Sequence, residues 1–175
     1  MKMPMRTQKK QSGVTLIETM IAVLLLLIMG AGMMGVFAFS IGTNKSQGEL
    51  ATRTTEYAQD KMEQLMALSY ADGATDTTVY PSAPAGGSGL GGVMAGSTTV
   101  GGTTRGAAVA NYVDYLDASG NLLIGAGFYT RQWSITTNAA GNLKTITVAV
   151  FASNAAGGPG AAPSSALVCL KSNNQ

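Results

Sequence analysis

The sequence predicts an α+β protein in which one long N-terminal helix precedes a head built on an antiparallel β-sheet. Three observations support this fold class. Residues 20–39 carry no charge, residues 57–68 repeat apolar side chains at helical spacing, and several segments after residue 109 alternate apolar and polar side chains. The first two patterns are typical of helices and the third of half-buried strands. We therefore expect a helix whose first half spans a membrane and whose second half packs on the sheet.

The uncharged segment from Met20 to Phe39 is long enough to cross a bilayer. Twenty residues of helix rise about 30 Å, which matches the hydrocarbon core of a membrane. A basic leader precedes this segment and carries Lys2, Arg6, Lys9 and Lys10. By the positive-inside rule, this charge holds the N-terminus in the cytoplasm and directs the C-terminal portion outward.

Two other kinds of apolar segment explain the sequence less well. A secretory signal would place small residues at a cleavage site after the apolar run, but residues 35–40 include bulky aromatics. An uncleaved signal anchor gives no reason for the glycine and the carboxylate that stand before the run. The residues between the leader and the apolar segment therefore need their own interpretation.

A short motif joins the leader to the apolar segment. It reads Lys9-Lys10-Gln11-Ser12-Gly13-Val14-Thr15-Leu16-Ile17-Glu18, so the leader ends at a glycine and one carboxylate follows five residues later. A carboxylate at the edge of a membrane segment is costly and usually has a function. The residues from Thr15 to Glu18 also fit a capping box, in which Glu18 would simply stabilise the helix start. The two roles of Glu18 are compatible.

This arrangement resembles the type III signal sequence of type IV pilins and type II secretion pseudopilins, whose members share the pilin fold. The resemblance implies that a prepilin peptidase cleaves after Gly13 and methylates the new N-terminal amine of Val14. It also implies that Glu18 pairs with the N-terminal amine of a neighbouring subunit during filament assembly. Opposite charges that leave water together offset each other's desolvation. Val14 departs from the phenylalanine with which most mature chains of this superfamily begin.

The resemblance further implies the partners and the location of the protein. The expected partners are the prepilin peptidase/methyltransferase, other major and minor pilins, the inner membrane and the pilus assembly platform. The chain would cross the inner membrane once, with its C-terminus outward, before it enters a pilus at the cell surface. No nucleic acid partner is expected. Four of the 11 basic residues lie in the leader, which leaves seven against nine acidic residues and no basic patch.

The chain is predicted to contain five successive parts. They are a leader peptide (1–13), a transmembrane and assembly helix (14–40), an amphipathic helix of the head (41–69), a Gly/Ser-rich loop (70–108) and an antiparallel β-sheet head (109–175). The two helical parts would join into one helix that ends near Ser69 and contains Gly30, Gly32, Gly35, Gly42 and Gly48. These glycines fit either close packing against other helices or a zone that melts in a filament.

Within the head, alternation of apolar and polar side chains predicts strands at 109–116, 128–137, 144–152 and 166–170, with a hairpin loop at 138–142. Ile146, Val148 and Val150 should share one face of their strand. Arg131 should share a face with Tyr129 and Trp133, either in a cation–π contact or as one amphipathic arginine on a half-buried face. The hairpin resembles the C-terminal sheet of PilV-type minor pilins, and pseudopilins of the I class look similar.

The sequence offers little for catalysis, metal binding or cofactor binding. It has no histidine, and its single cysteine, Cys169, excludes an intrachain disulfide and is expected to be a small buried apolar residue. The glycines of residues 86–92 match no phosphate-binding fingerprint. Asp114 and Asp117 could hold calcium, but a solvated loop edge is the stronger expectation. We therefore expect no catalytic residue, no metal and no cofactor.

These observations favour a minor pilin of the PilV type, which would support or prime pilus assembly after peptidase processing. Two alternatives remain open. The first is a minor pseudopilin of a type II secretion system, because the N-terminal motif is shared. The second is a surface adhesin that uses the pilin segment only as its anchor.

Overall fold

The computed structural model describes residues 13, 15–153 and 162–173. Within this part of the chain, helix α1 spans Leu16–Ala67 and six strands follow it. They are β1 (Thr98–Gly101), β2 (Val113–Leu116), β3 (Leu122–Leu123), β4 (Tyr129–Thr137), β5 (Leu143–Ala152) and β6 (Ser164–Ser172). The predicted α+β class is confirmed. Except for Gly13, the expected leader lies outside the described residues.

Internal contacts divide the chain between Gly42 and Thr43 into an N-terminal unit and a head unit. The N-terminal unit contains the first part of α1, whose large apolar side chains from Leu16 to Ile41 are all more than half exposed. A helix that is apolar on every side needs lipid or other helices around it. By length and composition, this helix is suited to crossing a membrane.

The head unit begins with the amphipathic end of α1. The buried side chains of this helix recur every three or four residues, and they are Leu50, Thr54, Tyr57, Ala58, Lys61, Met62 and Leu65. This spacing places them on one face, as predicted. The face contributes to a core shared with β4 and β5, which includes Trp133 and Val148. The helix ends at Ala67, two residues before the expected end.

The head sheet has the strand order β3-β2-β4-β5-β6, and β1 also pairs with β4. The antiparallel β4–β5 hairpin forms its centre, with Trp133 opposite Val148. Its turn is closed at the predicted place, where the Asn138 N–H donates to the Leu143 carbonyl at 2.9 Å. The predicted alternation is also confirmed, because Ile146, Val148 and Val150 are fully buried.

Two expectations about strands were wrong in extent, and one further strand lies in the segment expected to be a loop. The segment 109–116 is a strand only from Val113, because a turn precedes it in which Tyr112 N–H donates to the Val109 carbonyl and Asn111 has a φ of 67°. The expected loop 70–108 contains β1, which its pairing with β4 holds in place. The last strand covers Ser164–Ser172 rather than 166–170, because the whole segment pairs with β5.

Candidate functional site

The first candidate site is the start of α1, where Glu18 lies in the first helical turn. The Thr15 carbonyl accepts hydrogen bonds from the N–H groups of Glu18 and Thr19, at 3.0 and 3.2 Å. Thr19 Oγ1 donates to the Leu16 carbonyl at 2.8 Å. The Glu18 side chain is exposed. Backbone groups and Thr19 thus organise this helix start, and no capping bond between the Glu18 carboxylate and a described residue contributes to it.

Of the two residues at the expected cleavage site, the structure describes Gly13. Gly13 is exposed and irregular in conformation. Val14, the expected site of N-methylation, lies outside the described residues. Cleavage after Gly13 and methylation of Val14 therefore stay predictions.

The second site is a charged network inside the head unit. Lys61 Nζ lies 2.8 Å from Asp114 Oδ2, and Arg131 binds the same carboxylate through Nε and Nη2 at 2.7 and 2.9 Å. Arg131 Nη1 also lies 2.7 Å from Asp60 Oδ2. Asp60 is the outer end of the network, because its side chain remains 54% exposed while the other three are nearly inaccessible.

Burial and ion pairing act in opposite directions on the two cations of this network. Burial lowers the pKa of Lys61, although the Asp114 carboxylate opposes that shift. Burial also opposes the charged form of Arg131, but its hydrogen bonds to Asp114, and then to Asp60, raise the arginine pKa. A buried carboxylate shared by two cations is suited to joining α1, β2 and β4. We find no nucleophile and base in it that would serve catalysis.

The network shows how Arg131 differs from both expectations for it, a cation–π contact and a place on a half-buried face. Arg131 does lie on the core-facing side of β4, but it is almost fully buried and its partners are carboxylates. It is Lys61 Nζ, instead, that lies 4.0 Å from the centre of the Trp133 ring. Sequence reasoning missed the role of Lys61, although its position within the buried helical stripe was a usable signal.

Asp114 is not part of a solvated loop edge, so that expectation was wrong for this residue. It is 3% exposed, because β2 directs it towards Lys61 and Arg131. Asp117 lies instead in the β2–β3 turn, where its carboxylate accepts from Ser119 N–H and Asn121 N–H at 2.7 and 2.9 Å. The two carboxylates serve different structures. No cluster of three or more potential metal ligands occurs among the described residues.

A second buried lysine holds the loop that follows α1. Lys144 Nζ donates to three backbone carbonyls, those of Tyr70, Leu90 and Gly92, at 2.6, 2.9 and 2.6 Å. Burial lowers the pKa of Lys144, and nearby Asp72 opposes the shift. Sequence reasoning missed this contact too. The signal was a lysine in step with the buried residues of β5, two positions before Ile146.

Cys169 was expected to be buried, but it is only partly buried. It packs at the border of the core from strand β6. Cys169 shares a face of β6 with Ser165 and Lys171, which bond to Thr54 and to the Met66 carbonyl of α1, so its thiol lies on the side of the sheet that faces α1.

Comparison with known proteins bears on the N-terminal segment alone. Residues 8–34 match the family described as the prokaryotic N-terminal methylation motif. No curated protein and no solved structure matches the chain. The matched residues include Gly13, Val14 and Glu18. The motif suggests a structural subunit rather than an enzyme, and it implies processing by prepilin peptidase and assembly with other pilins. Together with a helix that can anchor the chain in a membrane and an α+β head, it supports membership of the type IV pilin and pseudopilin superfamily.

Proposed function

We propose that this protein is a minor pilin of the PilV type, which enters a type IV pilus and supports or primes its assembly. The observation that carries the proposal is the methylation motif at residues 8–34, which includes most of the exposed apolar part of α1. Such a helix is suited first to the inner membrane and then to a bundle of similar helices. The head unit has a hydrophobic core of its own.

The position of Glu18 supports a role of the apolar helix in filament assembly. Glu18 lies at the start of a segment that is otherwise apolar. Its side chain is exposed in the isolated chain. Moving an unpaired carboxylate into an apolar bundle is costly, whereas moving it together with an amine is much less so. The N-terminal amine of processed Val14 on a neighbouring subunit has the charge that Glu18 requires.

The proposal is tested by locating the protein and deleting it. We expect it in sheared pili at a small fraction of the major subunit. Deletion is expected to reduce surface piliation and leave protein secretion intact. Normal pili with blocked secretion would instead identify a minor pseudopilin, to which the same N-terminal motif applies. Recovery as the dominant shaft protein would contradict the minor-pilin role.

A further inference from the structure

We draw no further inference here: the strongest candidate, the uncharged outer face of the edge strand β6, on which Val168 and Leu170 are more than half exposed, carries nothing because nothing in the described part of the chain shows what covers it.

Discussion

At the residue scale, Gly13 and Glu18 have different roles in the function that we propose. In the proposed processing, Gly13 places no side chain next to the peptide bond that the peptidase would cleave. Glu18 is charged, whereas none of the residues from 19 to 39 carries a charge. The two residues can therefore be tested separately, one through processing and the other through assembly.

Processing is expected to yield a mature chain that starts at Val14 and carries one additional methyl group. Intact mass measurement of membrane-extracted protein checks this. Gly13→Ala should still be processed to some extent, whereas Gly13→Val should accumulate precursor, because a branched side chain obstructs access to the bond. A mature chain that begins near Ser40, or full leader in cells with active peptidase, would contradict the expected site.

Glu18→Gln is expected to leave membrane insertion, cleavage and head folding intact and to reduce incorporation into pili. An amide can still accept a hydrogen bond, but it cannot form an ion pair with a neighbour's amine. Loss of a helix cap alone would cost about 1 kcal/mol, which is small for a helix held in a bilayer. Immunoblots of sheared pili measure incorporation. Normal incorporation of the glutamine variant would leave Glu18 without a role in charge pairing.

At the scale of elements, two lysines join the segment after α1 to the rest of the head. Lys61 on the helix donates to the Thr77 carbonyl, and Lys144 on β5 donates to carbonyls at residues 70, 90 and 92. The segment after α1 contains few apolar side chains, but many of its backbone N–H and C=O groups need hydrogen-bond partners. An ammonium group suits this task because it has three donors.

Lys144→Met is expected to lower the free energy of unfolding by about 2–4 kcal/mol, since three partly buried carbonyls lose their donor. Methionine keeps most of the apolar stem, so the effect reports on the ammonium group. Lys171→Met is the matched control. Among the described residues, Lys171 Nζ donates to one carbonyl, that of Met66, and we expect its loss to cost about 1 kcal/mol. Chemical denaturation of the two variants compares them, and equal losses would contradict the special role of Lys144.

At the scale of the whole molecule, two carboxylates in turns make the stability of the fold depend on pH in the acidic range. Hydrogen bonds from Asn121, through its side chain and backbone, lower the pKa of Asp117 below 3.8. Desolvation opposes the same shift at Asp72, but hydrogen bonds from Thr75 and Ala74 outweigh it and lower that pKa too. A lowered carboxylate pKa stabilises the fold fully above the unfolded value of 3.8. The stabilisation is lost as pH falls from there through the folded pKa.

Asp117→Asn is expected to flatten this part of the pH dependence. An asparagine can accept the turn hydrogen bonds but does not titrate. The variant should be less stable than wild type at neutral pH and approach it in strong acid. Thermal unfolding of both proteins between neutral pH and pH about 2 measures the difference. Parallel curves over that range would show that Asp117 contributes no proton linkage.

The sequence by itself determined the features that depend on neighbouring residues. The N-terminal motif, the apolar helix, the amphipathic stripe and the β4–β5 hairpin all follow from local spacing. Apolar side chains on one face of a helix, such as Tyr57, Met62 and Leu65, are favourable only in a core. This holds for any set of residues that packs against them. Such patterns therefore predict both the element and the face that it buries.

The tertiary structure decided which charged residues are buried. Lys61 and Asp114 are 53 positions apart, and Lys144 lies 52 and 54 positions from two of its acceptors. A buried charge is tolerated only where it has hydrogen-bond or ion-pair partners. A local sequence pattern cannot predict partners that are so far apart in the chain. The same holds for β1, a short segment among glycines that becomes a strand through pairing with β4. Burial of apolar residues depends on spacing, whereas burial of polar residues depends on partners that only the folded chain brings together.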